Sequence, residues 1–383
     1  MMRGCSGRTP AARTWSRQAL NGEGRSPLRP LPGTGRRRAT LGLLAALALC
    51  GCRREGRPAH TSWSVMGTFC TVTVRQAEAA RLEAFTDDTR RVMQDVNDRL
   101  TVYSTESELW AVNQNAGVKP VPVSALTHKA LELSLRYSEL TGGAFDPTVG
   151  SLVKMWGFNA GKAPDQPLDD AVIRPVLQGI GYRRLQLADR TAFLESPRAS
   201  LDLGGIAKGY AVDLCIERFS ESEKAPRGLM VDLGGNIRVL GESRKGHPWR
   251  IGVRNPFDLE DVLGVLTLTN GMAVATSGNY ERFVTIGGRR YAHIIDPRTG
   301  RPVEGMAGVT VIAQTATETD AMSTGLFVMG MERAGDVLRE LPGCGALFVP
   351  DRQPIEIYVT RTFARQFKPD RRYAAAVRLL DIP

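Results

Sequence analysis

The sequence contains few of the residues that hold disulfide-rich or zinc-dependent folds together. It has six cysteines and four histidines among 383 residues. Only three cysteines follow Cys52, at positions 70, 215 and 344, so they are widely spaced and odd in number. This spacing excludes a disulfide framework and a zinc-binding pattern as the basis of the fold.

Long apolar runs are missing as well. Residues 41–49 form an apolar stretch after Arg36-Arg37-Arg38. It is too short to span a hydrocarbon core of ~30 Å, but its length suits the h-region of a signal peptide. The run ends in Leu49-Cys50-Gly51-Cys52, which resembles a bacterial lipoprotein box with a small residue directly before the modified cysteine. We therefore predict that residues 1–51 are a signal peptide and that Cys52 carries lipid.

Two other interpretations of this N-terminus stay open. Cys50 could be the lipidated residue, although it follows the bulky Leu49, and the segment could also be a plain secretory signal or a short anchor. With lipid on Cys52, residues 52–61 would form a polar tether and residues 62–383 the folded domain. The location predicted on this basis is the periplasmic side of the bacterial inner membrane.

Positive charge is concentrated at the N-terminus, and the rest of the chain has almost no net charge. The formal net charge is +10, but residues 1–51 contain nine Arg and one acid. Residues 52–383 carry 41 basic and 39 acidic side chains, a net +2. No global basic field is left to attract a polyanion, so we do not expect nucleic acid as a partner.

The hydrophobic content of 42% indicates a chain with a sizeable core. Apolar residues at helical spacing predict helices at 82–100, 124–140, 169–178, 206–219 and 318–329. Alternating patterns predict strands at 63–75, 182–195 (a hairpin), 228–233, 248–254, 262–269, 272–276, 282–286, 289–295, 308–313, 346–349 and 355–359. Because the helices do not alternate regularly with the strands, we predict an α+β fold with mainly antiparallel sheets and packed helices. The length of 383 residues allows two domains or one large two-lobed domain.

The chain also lacks the common nucleotide and hydrolase motifs. Residues 204–209, Gly-Gly-Ile-Ala-Lys-Gly, match neither the dinucleotide fingerprint nor the P-loop, and no Gly-x-Ser-x-Gly elbow is present. Instead, Asp-Leu-Gly-Gly occurs twice, at 202–205 and 232–235. We predict that both copies lie at strand ends, where glycine lets the backbone approach a ligand closely. Two coincidental turns are the simpler explanation of either copy alone.

A few polar side chains are candidates for chemistry. Asp320 and Thr324 lie four residues apart on a predicted helix, so they share a face and could offer oxygen ligands to Mg²⁺, with Ser323 beside them. Taken alone, an acid near a helix N-terminus and a back-bonded Thr explain the same residues. His293 lies at a strand end next to Asp296 and is a candidate acid or base.

Several motifs in fixed order resemble the ApbE family of FAD:protein FMN transferases. The matching segments keep their order over nearly all of residues 63–330. They are 66–68 (Met-Gly-Thr), 101–103, 143–150 (Gly-Ala-Phe-Asp-Pro-Thr-Val-Gly), 152–158, 202–210, 232–236, 275–280, 293–300 and 319–325. Each segment is a weak signal, and their combination is a strong one. The resemblance implies the family's α+β fold, which is related to the T-fold, as one large two-lobed domain.

The resemblance also implies roles for individual residues. The residues expected to line the FAD site are Met66, Tyr103, Ala144, Phe145, Asp146, Asp202, Lys208 and Ile295. The residues expected to hold Mg²⁺ are Gly205, through its backbone carbonyl, Asp320, Ser323 and Thr324. His293 would serve the transfer step, with Lys208 or Arg298 as an additional positive charge.

The implied reaction is phosphoryl transfer with FAD as substrate. A Ser or Thr hydroxyl of an acceptor protein, by family resemblance a subunit of a membrane redox complex, would take FMN and release AMP. Two alternatives stay open: a flavin-trafficking lipoprotein or FAD pyrophosphatase of the same family, and a non-enzymatic envelope lipoprotein. An aromatic residue at position 103, together with intact metal ligands, favours transfer over the first alternative. Failure of the protein to bind FAD would favour the second alternative.

Overall fold

The computed structural model describes residues 56–159, 162–221 and 225–382. The predicted signal peptide, the lipobox and residues 52–55 lie outside the described residues. The described residues all belong to one compact unit. Within the described residues, no helix is both long enough and apolar enough to cross a bilayer.

The described residues form nine α-helices and nineteen strands. The helices are α1 (Leu82–Leu100), α2 (Glu108–Gln114), α3 (Ala125–Leu140), α4 (Gly150–Met155), α5 (Asp170–Leu177), α6 (Ala207–Ser220), α7 (Ala316–Met329), α8 (Met331–Arg339) and α9 (Arg361–Gln366). The first ten strands are β1 (Ala59–Val65), β2 (Thr68–Val74), β3 (Val121–Pro122), β4 (Leu185–Ala188), β5 (Thr191–Leu194), β6 (Gly228–Leu233), β7 (Asn236–Gly241), β8 (Trp249–Asn255), β9 (Asp258–Leu268) and β10 (Ala273–Gly278). The remaining strands are β11 (Phe283–Ile286), β12 (Arg289–Ala292), β13 (Ile295–Asp296), β14 (Arg301–Pro302), β15 (Met306–Ala313), β16 (Gly345–Pro350), β17 (Ile357–Val359), β18 (Phe367–Pro369) and β19 (Val377–Leu379).

An open nine-stranded sheet is the centre of the fold. Its strand order is β1-β2-β6-β7-β10-β15-β16-β17-β19. All neighbours in it are antiparallel except β17 and β19, which are parallel. The prediction of an α+β fold with mainly antiparallel sheets is therefore confirmed.

The two faces of this sheet pack against different layers. On one face, Val309 and Val311 of β15 join a core cluster that includes residues of α1, α6 and α7. On the other face, Ile312 of β15 and Leu347 of β16 pack with Trp249 of β8 and the rest of a three-stranded sheet, β8-β9-β18. Side chains that alternate between the faces of β15 thus build both cores, so the strand is buried along its whole length.

Some predicted elements differ from the structure. The predicted strand 63–75 is two strands, β1 and β2, joined by a tight turn, because Met66 and Gly67 both have positive φ. β1 begins at Ala59, inside the predicted tether 52–61, because its residues pair in register with β2. The first Asp-Leu-Gly-Gly, 202–205, follows no strand, only an isolated bridge at Ser200, so its predicted strand end is wrong. The second copy does join β6 to β7.

Helices α6 and α7 pack closely at Gly209. A Cβ on Gly209 would come within 2.1 Å of the Ala316 carbonyl oxygen, so only glycine permits this approach. Each helix supplies an acid to the other, since Asp320 of α7 accepts from the Gly209 amide (2.9 Å) and Asp213 of α6 accepts from the Ala316 amide (2.7 Å). This pairing fixes where α6 and α7 present their polar side chains.

Candidate functional site

A cavity of about 1170 Å³ lies between the sheets, the start of α6 and the part of α7 that carries Asp320 and Thr324. Except for Ser323 and Arg298, every site residue predicted from the sequence lines it. Those residues are Met66, Tyr103, Ala144, Phe145, Asp146, Asp202, Gly205, Lys208, His293, Ile295, Asp320 and Thr324. The structure therefore brings together residues that are spread over about 260 positions of the sequence.

The turn between β1 and β2 carries Met66 into the cavity wall. Met66 has φ +50° and Gly67 φ +70°, the pair of positive values found in a type I′ turn. Positive φ is unusual for a residue with a side chain as long as methionine and costs of order 1–3 kcal/mol. A strained residue that lines a cavity is a common sign of function, and the flexible thioether of Met66 suits contact with a planar ring.

A hydrogen-bond chain connects Tyr103 to the first Asp-Leu-Gly-Gly loop. The Tyr103 hydroxyl donates to Asn159 Oδ1 (3.0 Å), and Asn159 Nδ2 donates to Asp202 Oδ2 (2.9 Å). The other Asp202 oxygen accepts from the Gly204 amide (2.8 Å). The Tyr103 side chain is nonetheless 62% exposed, so one face of its ring is open to a ligand. Asn159 was not predicted from the sequence, since a lone Asn gives no local signal.

Within the predicted segment 144–146, Asp146 and Phe145 have different structural roles. Asp146 Oδ1 accepts from both the amide (2.8 Å) and the hydroxyl (2.6 Å) of Thr148, and Oδ2 accepts from the Tyr182 amide (2.8 Å). Burial raises the pKa of Asp146, although these hydrogen bonds oppose the rise. The Asp146 carboxylate thus holds its loop in place, and the Phe145 ring packs against Gly205, where a Cβ would lie 3.3 Å from it.

The carboxylate of Asp320 is the most buried of the acids that line the cavity. It is only 4% exposed and accepts from the Gly209 amide through Oδ2. Lys208 places its Nζ 3.4 Å from Asp320 Oδ1 and donates to the Gly204 carbonyl oxygen at 2.8 Å. A buried acid, an ammonium group and backbone carbonyls therefore converge at the start of α6.

Hydroxyl groups complete this end of the cavity. Ser277 Oγ lies 2.9 Å from Ser323 Oγ and 3.4 Å from Thr324 Oγ1, so the three hydroxyls form a cluster. Gly205 lies close to them, because a Cβ there would be 3.0 Å from Thr324 Oγ1. Ser323 is buried beneath the cavity wall and contacts Ser277, which lines the cavity. Ser277 was not predicted as a site residue from the sequence.

These donors suit a hard cation. The Asp320 carboxylate, the Thr324 hydroxyl and the Gly205 carbonyl are oxygen donors, which Mg²⁺ prefers, and Mg²⁺ commonly needs only one or two carboxylates when substrate phosphates complete its shell. No group of three or more His, Cys, Asp or Glu that could hold a metal occurs in the described residues. The residues therefore fit a cation shared with an anionic ligand better than an all-protein metal site.

His293 lies in the short connection between β12 and β13. Its Nδ1 is 3.2 Å from the Arg282 carbonyl oxygen, which can only accept, so Nδ1 carries the proton and Nε2 has a free lone pair. Burial, together with the positive charge of Lys208, lowers the pKa of His293 to about 4. The imidazole is therefore neutral at pH 7 and can accept a proton.

Further charged residues line the cavity that were not predicted from the sequence. They include the acids Asp232 and Glu281 and the cations Arg254 and Arg282. Burial raises the pKa of Glu281 to about 7, against the opposing effect of the Lys208 charge. The predicted cation Arg298 does not line the cavity, because its guanidinium is paired with Asp296 at 2.8 Å.

The fold and site together define a class of protein in which antiparallel sheets and two packed helices, α6 and α7, enclose a cavity with oxygen donors, cations and a neutral histidine. The family model described as "ApbE family" matches residues 66–348, and the chain belongs to this family. Among curated proteins, it is similar to "FAD:protein FMN transferase" of Vibrio cholerae (34% identity, 76% of this chain and 87% of the relative). The protein of that name from Escherichia coli K12 is 34% identical over 78% of this chain and 88% of its own length.

Solved structures agree with this assignment. "Flavin Transferase ApbE" from Vibrio cholerae superposes with a TM-score of 0.72 at 32% identity, covering 81% of this chain and 99% of that structure. The ApbE protein of Thermotoga maritima gives a TM-score of 0.73 at 32% identity, covering 82% of this chain and all of that structure. The predicted family is therefore confirmed.

Proposed function

We propose that this protein is a Mg²⁺-dependent transferase that moves FMN from FAD to a Ser or Thr hydroxyl of an acceptor protein and releases AMP. The observation that carries the proposal is the single cavity in which a neutral His293 faces the same space as the Asp320, Thr324 and Gly205 oxygen cluster. The relatives named FAD:protein FMN transferase support the same reaction. FAD is a substrate here and undergoes no redox change.

The reaction exchanges one phosphorus–oxygen bond for another. The acceptor hydroxyl oxygen attacks the FMN-side phosphorus of the FAD diphosphate, and the bond from that phosphorus to the bridging oxygen breaks. AMP leaves with the bonding electrons, and FMN stays on the acceptor through a phosphoester. His293 Nε2 takes the hydroxyl proton, a task for which a neutral imidazole with an unprotonated nitrogen is suited. The Arg282 carbonyl keeps the ring in the required tautomer.

The charges around the cavity support a role for a divalent cation. The residues that line it include five acids, Asp146, Asp202, Asp232, Glu281 and Asp320, against three permanent cations, Lys208, Arg254 and Arg282. A diphosphate would add two negative charges to this excess of acid. Mg²⁺ held by Asp320, Thr324 and the Gly205 carbonyl, with Ser323 supporting them through Ser277, would neutralise charge on the diphosphate.

The remaining predicted residues would hold the flavin nucleotide. Tyr103, with an open ring face, and Met66, at the strained turn, suit a planar isoalloxazine or adenine ring. Phe145, Ala144 and Ile295 supply apolar wall around them. Asp202 and Asp146 fix the loops that form the wall, and Lys208 sits beside Asp320.

An alternative activity of the same site is hydrolysis of FAD to FMN and AMP, or flavin carriage without chemistry. A suitable experiment incubates the purified protein with FAD, Mg²⁺ and a candidate acceptor, then measures protein-bound flavin on a denaturing gel together with AMP. Flavin on the acceptor supports transfer, and AMP without it supports hydrolysis. An acceptor whose Thr is replaced by Ala is the matched control. Failure to bind FAD at all would favour a non-enzymatic envelope lipoprotein.

We also propose that the mature chain is a lipoprotein with lipid on Cys52, on the periplasmic side of the bacterial inner membrane. The support is the sequence from Arg36 to Cys52, which lies outside the described residues. This location would place the enzyme next to acceptors that are subunits of membrane redox complexes. Both the anchor and this acceptor class rest on the sequence resemblance.

A further inference from the structure

Two arginines in the cavity have no role in the site as described so far. Arg254 belongs to β8 of the three-stranded sheet, and Arg282 precedes β11, so they reach the cavity from different elements. Within the described ranges, neither guanidinium makes a hydrogen bond or an ion pair with a protein group. This differs from Lys208, which is engaged by Gly204 and Asp320.

The backbone directs Arg254 into the cavity. The register of β8 with β9 shifts on both sides of Arg254, which is the sign of a β-bulge. Bulges are frequent next to active sites, where the local kink changes the direction of a side chain. Its neighbours Ile251, Gly252 and Val253 also line the cavity, so the bulge lies in the cavity wall.

Arg282 is held in position by hydrogen bonds with His293, in the connection between β12 and β13. Its carbonyl oxygen accepts from both the amide (3.1 Å) and Nδ1 (3.2 Å) of His293, which fixes the two residues relative to each other. Its guanidinium extends to the β1–β2 turn, where a Cβ on Gly67 would lie 3.1 Å from Nη2. Arg282 therefore spans the cavity mouth between the turn that carries Met66 and the connection that carries His293.

We propose that Arg254 and Arg282 recognise the diphosphate of FAD and so distinguish the dinucleotide from riboflavin. Guanidinium groups bind phosphate oxygens through paired, charge-assisted hydrogen bonds, and both groups are available for such bonds because no protein partner occupies them. The cavity wall carries more acids than cations, so a dianionic ligand needs the unpaired cations of the wall to balance its charge. This excess of acid therefore also supports binding of the diphosphate by the two arginines. This inference rests on FAD being the substrate.

The test is direct binding, measured by flavin fluorescence at one fixed Mg²⁺ concentration. The variants are Arg254→Gln and Arg282→Gln, and riboflavin is the reference ligand because it lacks phosphate. We expect each variant to weaken FAD binding by roughly 10- to 100-fold, the usual effect of losing a charge-assisted hydrogen bond, and to change riboflavin binding by less than about twofold. The matched control is Arg290→Gln, since Arg290 is on neighbouring β12 but packs on Phe283 and does not line the cavity.

Two results would overturn the inference. Unchanged FAD affinity in both variants would mean that these are ordinary solvated arginines, and an equal loss of FAD and riboflavin affinity would mean a structural effect. Arg282→Lys provides a second variant that keeps the charge but not the planar fork, and it should lie between the wild type and Arg282→Gln. The wild-type assay for AMP and flavin transfer is run in parallel, so that a failure of the proposed reaction is distinguished from a failure of the diphosphate assignment.

Discussion

Asp213 and Asp320 cap each other's helices. Asp213, on α6, accepts hydrogen bonds from the amides of Ala316 and Thr317 at the start of α7 (2.7 and 2.8 Å). Asp320, on α7, accepts from the amide of Gly209 at the start of α6 (2.9 Å). The first amides of a helix have no partner within the helix, so each carboxylate satisfies a group that would otherwise be unpaired in the interior. The same two helices line the cavity, α6 with Lys208 and α7 with the oxygen donors Asp320 and Thr324.

Asp213→Ala should lower the free energy of unfolding by about 3–5 kcal/mol, because it leaves the largely buried Arg238 and two helix amides without their partner. Urea denaturation followed by circular dichroism measures this change. Glu217→Gln is the control, since Glu217 is the second acid near Arg238 but is exposed and 4.0 Å away, and it should change stability by less than about 0.5 kcal/mol. Equal effects of the two variants would show that Asp213 does not cap α7.

Asp320→Asn should abolish Mg²⁺-dependent transfer while the protein stays folded. The Asn side chain keeps an oxygen for the Gly209 amide but loses the charge that a divalent cation requires. Asp320→Ala should lose activity too, and it should also cost about 1–3 kcal/mol of stability because the buried amide loses its acceptor. Thr324→Ala should be milder, since a neutral hydroxyl contributes less to cation binding. Full activity of Asp320→Asn at low Mg²⁺ would place the metal elsewhere.

His293→Ala should separate binding from transfer. We expect FAD affinity near that of the wild type, because the flavin contacts come from other residues, and a transfer rate lower by about 10²–10⁴-fold, the usual contribution of a general base. Fluorescence titration and single-turnover transfer on one preparation measure both quantities. If affinity and transfer fall together, the ring only supports its loop; if neither falls, His293 has no part in the mechanism.

The pH dependence of transfer should reflect the neutral state of His293. Only the unprotonated ring can accept a proton, and its pKa is lowered to about 4, so kcat/KM should fall as the pH drops through about 4 and not near 6.5. Glu281 has a pKa raised to about 7 and lines the same cavity, so the profile is measured in Glu281→Gln as well. An acid limb near 6.5 that persists in Glu281→Gln would contradict an imidazole that is neutral down to about pH 4.

Cys52→Ser should prevent lipid attachment and give a protein that is either released from the membrane or left unprocessed. Membrane fractionation and mass measurement of the mature N-terminus detect both outcomes. Cys50→Ser is the matched control and should leave processing unchanged. A lipidated product in Cys52→Ser that is lost in Cys50→Ser would move the anchor to Cys50, and normal lipidation in both would exclude this lipobox.

The sequence was sufficient for the elements with strong periodicity and for most of the site. The helix predicted at 318–329 is α7, Ala316–Met329, and all of the site residues suggested by the family resemblance except Ser323 and Arg298 line one cavity. Short elements such as α4 and α9, six residues each, were not predicted, because fewer than two helical turns give no detectable period.

Other parts of the site depend on contacts that no local pattern contains. Asp320 and Gly209 are 111 positions apart, so their hydrogen bond follows only from the packing of α6 against α7. Arg254 enters the cavity because of a bulge, which the alternation in β8 does not reveal. Arg298 was a poor choice as a catalytic cation, and the neighbouring Asp296, two residues earlier, was a signal that it would be paired.

We expect the cavity to transfer FMN to a protein rather than to hydrolyse FAD. The two reactions are told apart by the intact mass of a Thr-containing acceptor after incubation with the protein, FAD and Mg²⁺, with AMP quantified in the same tube. The acceptor should gain the mass of FMN less one water, with one AMP released per modified acceptor, and Asp320→Asn should give neither product. An acceptor of unchanged mass in the presence of AMP and free FMN would contradict it.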